Sequence, residues 1–121
     1  MRCTLVSVTT LKIAHDLINS LEEKKAENIV LLDLKDIAIF TDYFIICSGT
    51  SNRMLNSLVR SVRETAKKKF NIIGKKEGEP RDGWIALDYG NVVVHIFAPK
   101  NRNYYQLEKL WEKGRLLLKL K

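Results

Sequence analysis

Few residues of this 121-residue sequence have types and spacings that could do chemistry. Asp88 and His95 could act as an acid–base pair, and Cys47 or Ser48 as a nucleophile. No fixed spacing ties these residues together, and a lone histidine near aromatic residues is more often a hydrogen-bonded structural group. Cys47 stands in an apolar run, where burial disfavours the thiolate and favours a packing role. The sequence therefore offers no positive sign of catalysis.

The segment Gly49-Thr50-Ser51 follows an apolar run and precedes a helical pattern, so its backbone amides could cradle a phosphate at a helix N-terminus. It resembles the Gly-Ser opening of nucleotidyltransferases, whose chemistry also needs paired carboxylates shortly afterwards to hold metal ions. Glu64 is the only acid between this segment and residue 76. Because no carboxylate pair follows, we expect Thr50 or Ser51 to cap the helix instead.

Composition narrows the class of protein further. The two cysteines and two histidines lack the spacing of a zinc site or a disulfide framework, so we expect no metal and no cofactor. No apolar run approaches the roughly 20 residues of a membrane span, and the first residues lack the cleavage site of a secretory signal. With 45% hydrophobic and 29% charged residues, the sequence predicts one cytoplasmic domain over residues 1–121 with no membrane segment.

The net charge of +7 is concentrated in one part of the chain. Residues 53–76 hold eight basic side chains and one acid, while the rest of the chain is neutral. Such a field can steer a protein towards a polyanion, because neutralised phosphates release counterions. The other interpretation is a helix with a solvated basic face. Stacking aromatics are absent from the segment, which argues against a dedicated reader of single strands.

Hydrophobic periodicity predicts three helices and about five strands. The helices are expected at residues 9–25 with a cap at Thr9 or Thr10, from Asn52 for about five turns, and at 101–113. The strands are expected at residues 28–34, 43–47, 72–73, 84–88 and 92–97, with a mobile loop over 74–83. This order predicts an α/β or α+β fold in which one mixed sheet packs against helices.

The last two predicted strands form a hairpin that turns at Tyr89-Gly90-Asn91, with Gly90 at a positive φ. Alternation then divides their side chains between two faces. One face is aliphatic and belongs to the core: Ile85, Leu87, Val92, Val94 and Ile96. The other mixes aromatic, acidic and imidazole groups: Trp84, Ala86, Asp88, Val93, His95 and Phe97. We expect another molecule to cover the second face, the alternative being a helix of the same chain.

Motifs in the hairpin and the closing helix carry a family resemblance. A Trp, an Asp four residues later, a Gly and a Val-His pair occur as Trp84, Asp88, Gly90 and Val94-His95. The pattern Tyr-x-Leu-Glu-x-Leu-Trp occupies residues 105–111, and Thr41-Asp42 and Gly49-Thr50-Ser51 stand upstream. On these residues the chain resembles the ribosomal silencing factor family, also called Iojap-like. The resemblance covers about residues 9–111 and leaves the Leu- and Lys-rich tail, 112–121, outside it.

The resemblance implies a translation repressor. Family members bind the large ribosomal subunit through its protein fourteen and hinder joining with the small subunit, without catalysing a reaction. The implied fold is similar to nucleotidyltransferases without their catalytic carboxylates, and a homodimer off the ribosome is a further expectation. From the residues alone, two alternatives stay open: a nucleotidyltransferase-like enzyme that needs metal, and a generic basic RNA-binding adaptor whose affinity falls steeply with salt.

Candidate partner contacts follow from the hairpin, the loop before it and the closing helix. Trp84 and Tyr105 offer large rigid contact areas, and the acids could pair with basic side chains of a ribosomal protein. The candidate partner-binding residues are Trp84, Asp88, Tyr89, His95, Tyr105, Glu108, Glu77 and Glu79. The candidates for contact with ribosomal RNA are Arg60, Arg63 and Lys67. For each of them the alternative is a purely structural role inside the chain or on its solvated surface.

Overall fold

The computed structural model describes residues 2–34, 41–98 and 115–120, with side chains for 10–34 and 41–98. Its helices are α1 (Arg2–Glu23) and α2 (Asn52–Phe70). Its strands, in chain order, are β1 (Glu27–Asp33), β2 (Tyr43–Ser48), β3 (Lys75–Glu77), β4 (Trp84–Asp88), β5 (Val92–Phe97) and β6 (Arg115–Leu120). A single 3₁₀ turn, Pro80–Asp82, precedes β4.

The six strands form one mixed sheet in the order β3-β4-β5-β2-β1-β6. β2 and β5 are parallel, and the other neighbours are antiparallel. The predicted α+β class with one mixed sheet is confirmed, and β6 is an additional strand. It lies in the tail and pairs with β1, with Leu118 opposite Leu31. Three consecutive leucines have no period of two, so hydrophobic alternation could not identify this strand.

Both described helices pack on one face of the sheet. The core on this side joins Leu17 and Leu21 of α1 to Leu58 and Val62 of α2, all with no exposed surface. The aliphatic side chains predicted for this face of the hairpin are all in this core: Ile85, Leu87, Val92, Val94 and Ile96. The alternation that we read from the sequence is therefore confirmed.

Most of the opposite face of the sheet is also buried, so the surface left open to a partner is narrower than expected. Phe97 has no exposed surface, and His95 exposes 7% of its own. They lie with a second apolar cluster that includes Val30, Leu32, Leu34, Phe44, Ile46 and Val93. No residue of α1 or α2 belongs to this cluster. Alternation separated the two faces correctly, but composition could not show which side chains are accessible.

Three boundaries differ from the prediction. α1 begins at Arg2, so Thr9 and Thr10 lie inside the helix and do not cap it; threonine is only slightly unfavourable at such positions. The third strand is Lys75–Glu77, not residues 72–73. The segment 74–83, which was predicted to be a loop, contains this strand and a 3₁₀ turn. A hydrogen bond of 3.1 Å from Glu79 N to Asp82 Oδ2 closes the turn.

Candidate functional site

The hairpin of β4 and β5 holds an aromatic cluster on the face opposite the helices. Trp84 Nε1 donates a hydrogen bond of 3.1 Å to His95 Nδ1. The Trp84 ring stacks on the ring of Phe97 with centroids 5.7 Å apart, and Phe44 meets His95 edge-on at 4.6 Å. Trp84 is half-buried in this cluster. His95 is buried and accepts this hydrogen bond, so the structure shows it in contact with Trp84, and its contact with a partner stays a prediction.

The surroundings of His95 keep its imidazole neutral. Burial lowers the pKa of His95 to about 4, although the nearby charge of Asp88 acts in the opposite direction. Because Nδ1 accepts the Trp84 hydrogen bond, the proton of the neutral ring is on Nε2. Nε2 is buried and has no hydrogen-bond partner among the described residues. A neutral, fixed ring is suited to orienting Trp84 and not to proton transfer at neutral pH.

Asp88 is the exposed member of this face. Its Oδ1 accepts a hydrogen bond of 2.8 Å from Gly90 N, which closes the turn between β4 and β5. Gly90 has a φ of 84°, as expected from the sequence. Asp88 therefore has a structural contact as well as a carboxylate that faces solvent.

The edge of the sheet beside Asp88 carries both basic and acidic side chains. In the β3–β4 register Lys75 lies opposite Asp88, and Glu77 lies opposite Ala86, so Glu77 shares a face with Asp88. Glu77 is exposed and pairs with Lys75 at 3.6 Å. Glu79 lies beyond the strand and pairs with Lys76 at 3.5 Å. Exposed pairs of this kind contribute little stability, so these acids can exchange partners at low cost.

Tyr89 does not lie with Trp84 and His95. Alternation takes Tyr89 to the side of the helices, where its ring packs against the core and against Gly74. A Cβ added at Gly74 would come within 2.5 Å of that ring, so the glycine allows the ring to lie on the backbone. The structure therefore separates Tyr89 from the other candidate partner residues of the hairpin. The step of one residue from Asp88 to Tyr89 was the signal in the sequence, since neighbours on a strand point to opposite faces.

A basic cleft lies between α2 and residues 72–76 on the side of Tyr89. Its volume is about 520 Å³. Arg60, Arg63 and Lys67, which the sequence predicted to share a basic helix face, all line it. Sequence reasoning missed the other wall, because only the packing of Tyr89 and the residues after α2 closes the cleft.

Ser51 is the N-cap of α2 and is one of the two residues, Thr50 and Ser51, that the sequence predicted for this position. Its Oγ accepts a hydrogen bond of 3.1 Å from Met54 N. A Cβ at the neighbouring Gly49 would meet Leu55 Cδ2 at 2.9 Å, so this glycine permits a close approach of strand and helix. This N-cap hydrogen bond accounts for the serine without a bound phosphate.

Two of the candidate partner residues, Tyr105 and Glu108, lie outside the described residues. Over the described part of the chain, no group of three or more His, Cys, Asp or Glu side chains is placed to hold a metal ion. No helix in that same part is long and apolar enough to cross a membrane.

Comparison with known proteins places the chain in a family. The family model described as "Ribosomal silencing factor during starvation" matches residues 7–119. The chain belongs to the ribosomal silencing factor family. The match reaches beyond the 9–111 stretch on which the resemblance rested, and it includes most of β6.

Individual relatives agree with this assignment. The ribosomal silencing factor of Bacillus subtilis is 39% identical over 90 residues, which cover 74% of this chain and 76% of the relative. A mouse protein named "Mitochondrial assembly of ribosomal large subunit protein 1" is 35% identical over 98 residues, covering 78% of this chain and 43% of the relative. A crystal structure of a Chromobacterium violaceum protein superposes with a TM-score of 0.80 at 33% identity, covering 84% of this chain and 85% of that one. Membership implies a regulatory, ribosome-associated role in translation.

Proposed function

We propose that this ribosomal silencing factor binds the large ribosomal subunit through its protein fourteen and hinders joining with the small subunit. It acts in the cytoplasm by occupying a surface, without catalysing a reaction. The observation that carries the proposal is the family match over residues 7–119. The name of the mouse relative, which refers to the large ribosomal subunit, supports the choice of subunit.

We infer that the docking surface is the exposed rim of the hairpin face. Trp84 is half-buried there, and Asp88 and Glu77 are exposed on the same side of the sheet. His95 fixes the Trp84 ring through its hydrogen bond. A fixed aromatic ring beside acidic groups suits a partner surface with basic side chains, because complementary charge speeds association and aligns the partners. Tyr105 and Glu108 remain candidate contacts from the sequence alone.

The basic face of α2 supplies a second, weaker interaction in this proposal. Arg60, Arg63 and Lys67 are exposed and would attract ribosomal RNA without reading its sequence. Their replacement by glutamine should slow association with the large subunit at low salt and have little effect near 1 M salt, where the Debye length is about 3 Å. Binding to isolated protein fourteen should change little. Pairing with a second copy off the ribosome stays a prediction, to be measured by analytical ultracentrifugation.

Sedimentation with separated ribosomal subunits tests the proposal. We expect the protein to sediment with the large subunit and to lower the yield of joined ribosomes. Asp88→Asn keeps an oxygen that can accept from Gly90 N, so it removes the charge while preserving the turn. This variant should bind the large subunit more weakly, whereas the matched control Glu23→Gln at the exposed end of α1 should bind normally.

Two results would refute the proposal. One is equal sedimentation with both subunits, and the other is an undiminished yield of joined ribosomes at saturating protein. If Asp88→Asn and Glu23→Gln bind alike, the subunit assignment can stand but the hairpin rim is not the docking surface.

A further inference from the structure

The cleft beside α2 has the dimensions of a small-molecule site. Its volume of about 520 Å³ falls within the range of roughly 300–1,000 Å³ that is typical of ligand pockets. One wall is the exposed side of α2, and the other is formed by residues 72–76 and Tyr89. The lining residues come from three separate segments of the chain, so the cleft is a product of the fold and not of one charged helix.

Positive charge dominates this cleft. Its charged lining consists of one carboxylate, Glu64, and five cations: Arg60, Arg63, Lys67, Lys68 and Lys76. Lys67 Nζ donates to Asn71 Oδ1 at 3.2 Å, and Lys76 pairs with Glu79 at 3.5 Å. Over the described residues no ion pair neutralises Arg60, Arg63 or Lys68. Three cations are therefore available to an anion that enters.

Tyr89 adds a polar group to the floor of the cleft. Its hydroxyl is buried and has no hydrogen-bond partner among the described residues. Burial raises the pKa of Tyr89, and the charge of nearby Arg63 opposes that change, so the hydroxyl is a donor at neutral pH. Native proteins rarely leave a buried polar atom without a hydrogen-bond partner, because such an atom is destabilising. This hydroxyl is closed off from solvent, so a ligand oxygen beside Arg63 would accept its hydrogen bond once the side chains that cover the hydroxyl move aside.

The same cleft has an apolar part. Ile72 and Ile73 line it next to Tyr89, and Ile73 exposes 76% of its surface. Among the described residues, Ile73 is the large hydrophobic side chain that is exposed to solvent. Cations alone would suit any polyanion, but cations beside an exposed isoleucine suit a ligand with both phosphates and an apolar ring.

We propose that the cleft binds a nucleoside polyphosphate. The phosphates pair with Arg60, Arg63 and Lys68, the Tyr89 hydroxyl donates to a ligand oxygen, and the base covers Ile73. An RNA strand is the less favoured occupant, because a strand tracking the exposed cations would not need a buried hydroxyl. This site goes beyond the ribosomal role, and it does not depend on the docking surface of the hairpin rim.

Calorimetric titration of the full chain tests the proposal with defined probes. These are ATP and GTP, inorganic tripolyphosphate, adenosine, and a short oligouridine RNA. We expect at least one nucleotide to bind more tightly than tripolyphosphate, and adenosine to bind far more weakly than either. The preferred nucleotide should also displace any bound oligouridine.

Variants then locate the bound nucleotide. Tyr89→Phe removes only the hydroxyl and should weaken nucleotide binding about fivefold or more, while the melting temperature stays the same or rises, since an unsatisfied polar atom is removed. The double variant Arg60→Gln with Arg63→Gln should weaken binding by about a hundredfold, as charge-assisted hydrogen bonds are strong. Its matched control, Arg53→Gln with Lys69→Gln, removes two cations of α2 that do not line the cleft. The control should change affinity by less than about threefold.

Several outcomes would overturn the proposal. Failure of both nucleotides to bind at about 1 mM would do so, since that limit corresponds to roughly 4 kcal/mol of binding free energy. Equal affinities for tripolyphosphate and the nucleotides would mean that the nucleoside part makes no contact with the cleft. Equal losses of affinity in the cleft double variant and the control double variant would mean that only the general positive field of α2 attracts the nucleotide. An unchanged affinity of Tyr89→Phe would mean that the hydroxyl makes no hydrogen bond with the nucleotide. Ribosomal sedimentation of Tyr89→Phe is a separate measurement, because Tyr89 belongs neither to the hairpin rim nor to the RNA-facing cations, so either proposal can fail without the other.

Discussion

Buried, neutral His95 should make the stability of this protein depend on pH between about 6.5 and 4. Its pKa falls from 6.5 to about 4 on folding, mainly because burial disfavours the charged ring. Above pH 6.5 the His95 ring is unprotonated in both the folded and the unfolded chain. Between the two pKa values the ring is protonated only in the unfolded chain. Stability is therefore lost as pH falls through this window, with no further change from His95 below the lower value. The expected contribution is a loss of about 2 kcal/mol at pH 5, approaching about 3 kcal/mol at lower pH.

Urea denaturation at a series of pH values from 7 to 4.5 measures this effect. His95→Asn removes the titrating ring and retains an oxygen near the position of Nδ1, where it can still accept from Trp84 Nε1. Carboxylates also titrate at the acidic end of this range, so the informative quantity is the difference between the wild-type and variant curves. We expect that difference to change by about 2 kcal/mol between pH 7 and pH 5.

The control is His15→Asn, which removes the exposed histidine of α1. Its curve measures the effect of replacing a histidine outside the aromatic cluster. Parallel curves for the wild type and His95→Asn would refute the reasoning, because they would mean that His95 takes up its proton equally in the folded and unfolded states. A lower overall stability of His95→Asn with an unchanged slope would show only a packing loss.

Three further substitutions test local features of the fold by the free energy of unfolding. Ser51→Ala should cost about 1 kcal/mol, because α2 loses the hydroxyl that caps Met54 N, and Ser51→Asn should restore most of it. Gly90→Ala should cost about 1 kcal/mol through its φ of 84° alone, since no atom lies near the added Cβ. Gly74→Ala should cost about 1–3 kcal/mol because the Cβ meets the Tyr89 ring, and this cost should nearly vanish in a Tyr89→Ala background.

Local patterns in the sequence were sufficient for much of the fold. Alternation along residues 84–97 assigned each hairpin side chain to the correct face, because a strand has a period of two whatever it packs against. The helical stripe of α2 and its cap at Ser51 were predictable for the same reason. These features depend on neighbours within a few residues of the chain.

The remaining features depend on contacts between distant segments. The sequence placed His95 on a face that we expected another molecule to cover, and its burial within the chain follows from packing against Phe44 and Trp84. The cleft needs Tyr89 to lie on Gly74 beside α2, a contact between residues fifteen positions apart that neither segment reveals alone. Sequence patterns therefore gave the candidate residues of the site but not their grouping.

The turn of the hairpin connects the two proposed surfaces through adjacent residues. Asp88 faces the proposed ribosomal rim, while Tyr89 faces the cleft, and the turn at Gly90 fixes both. Because successive side chains on a strand point to opposite faces, each can be changed without entering the other surface. Asp88→Asn should therefore affect subunit binding and leave nucleotide affinity unchanged, and Tyr89→Phe should do the reverse. A loss of both activities in either variant would mean that the substitution disturbs the turn itself, and a melting curve would show that disturbance directly.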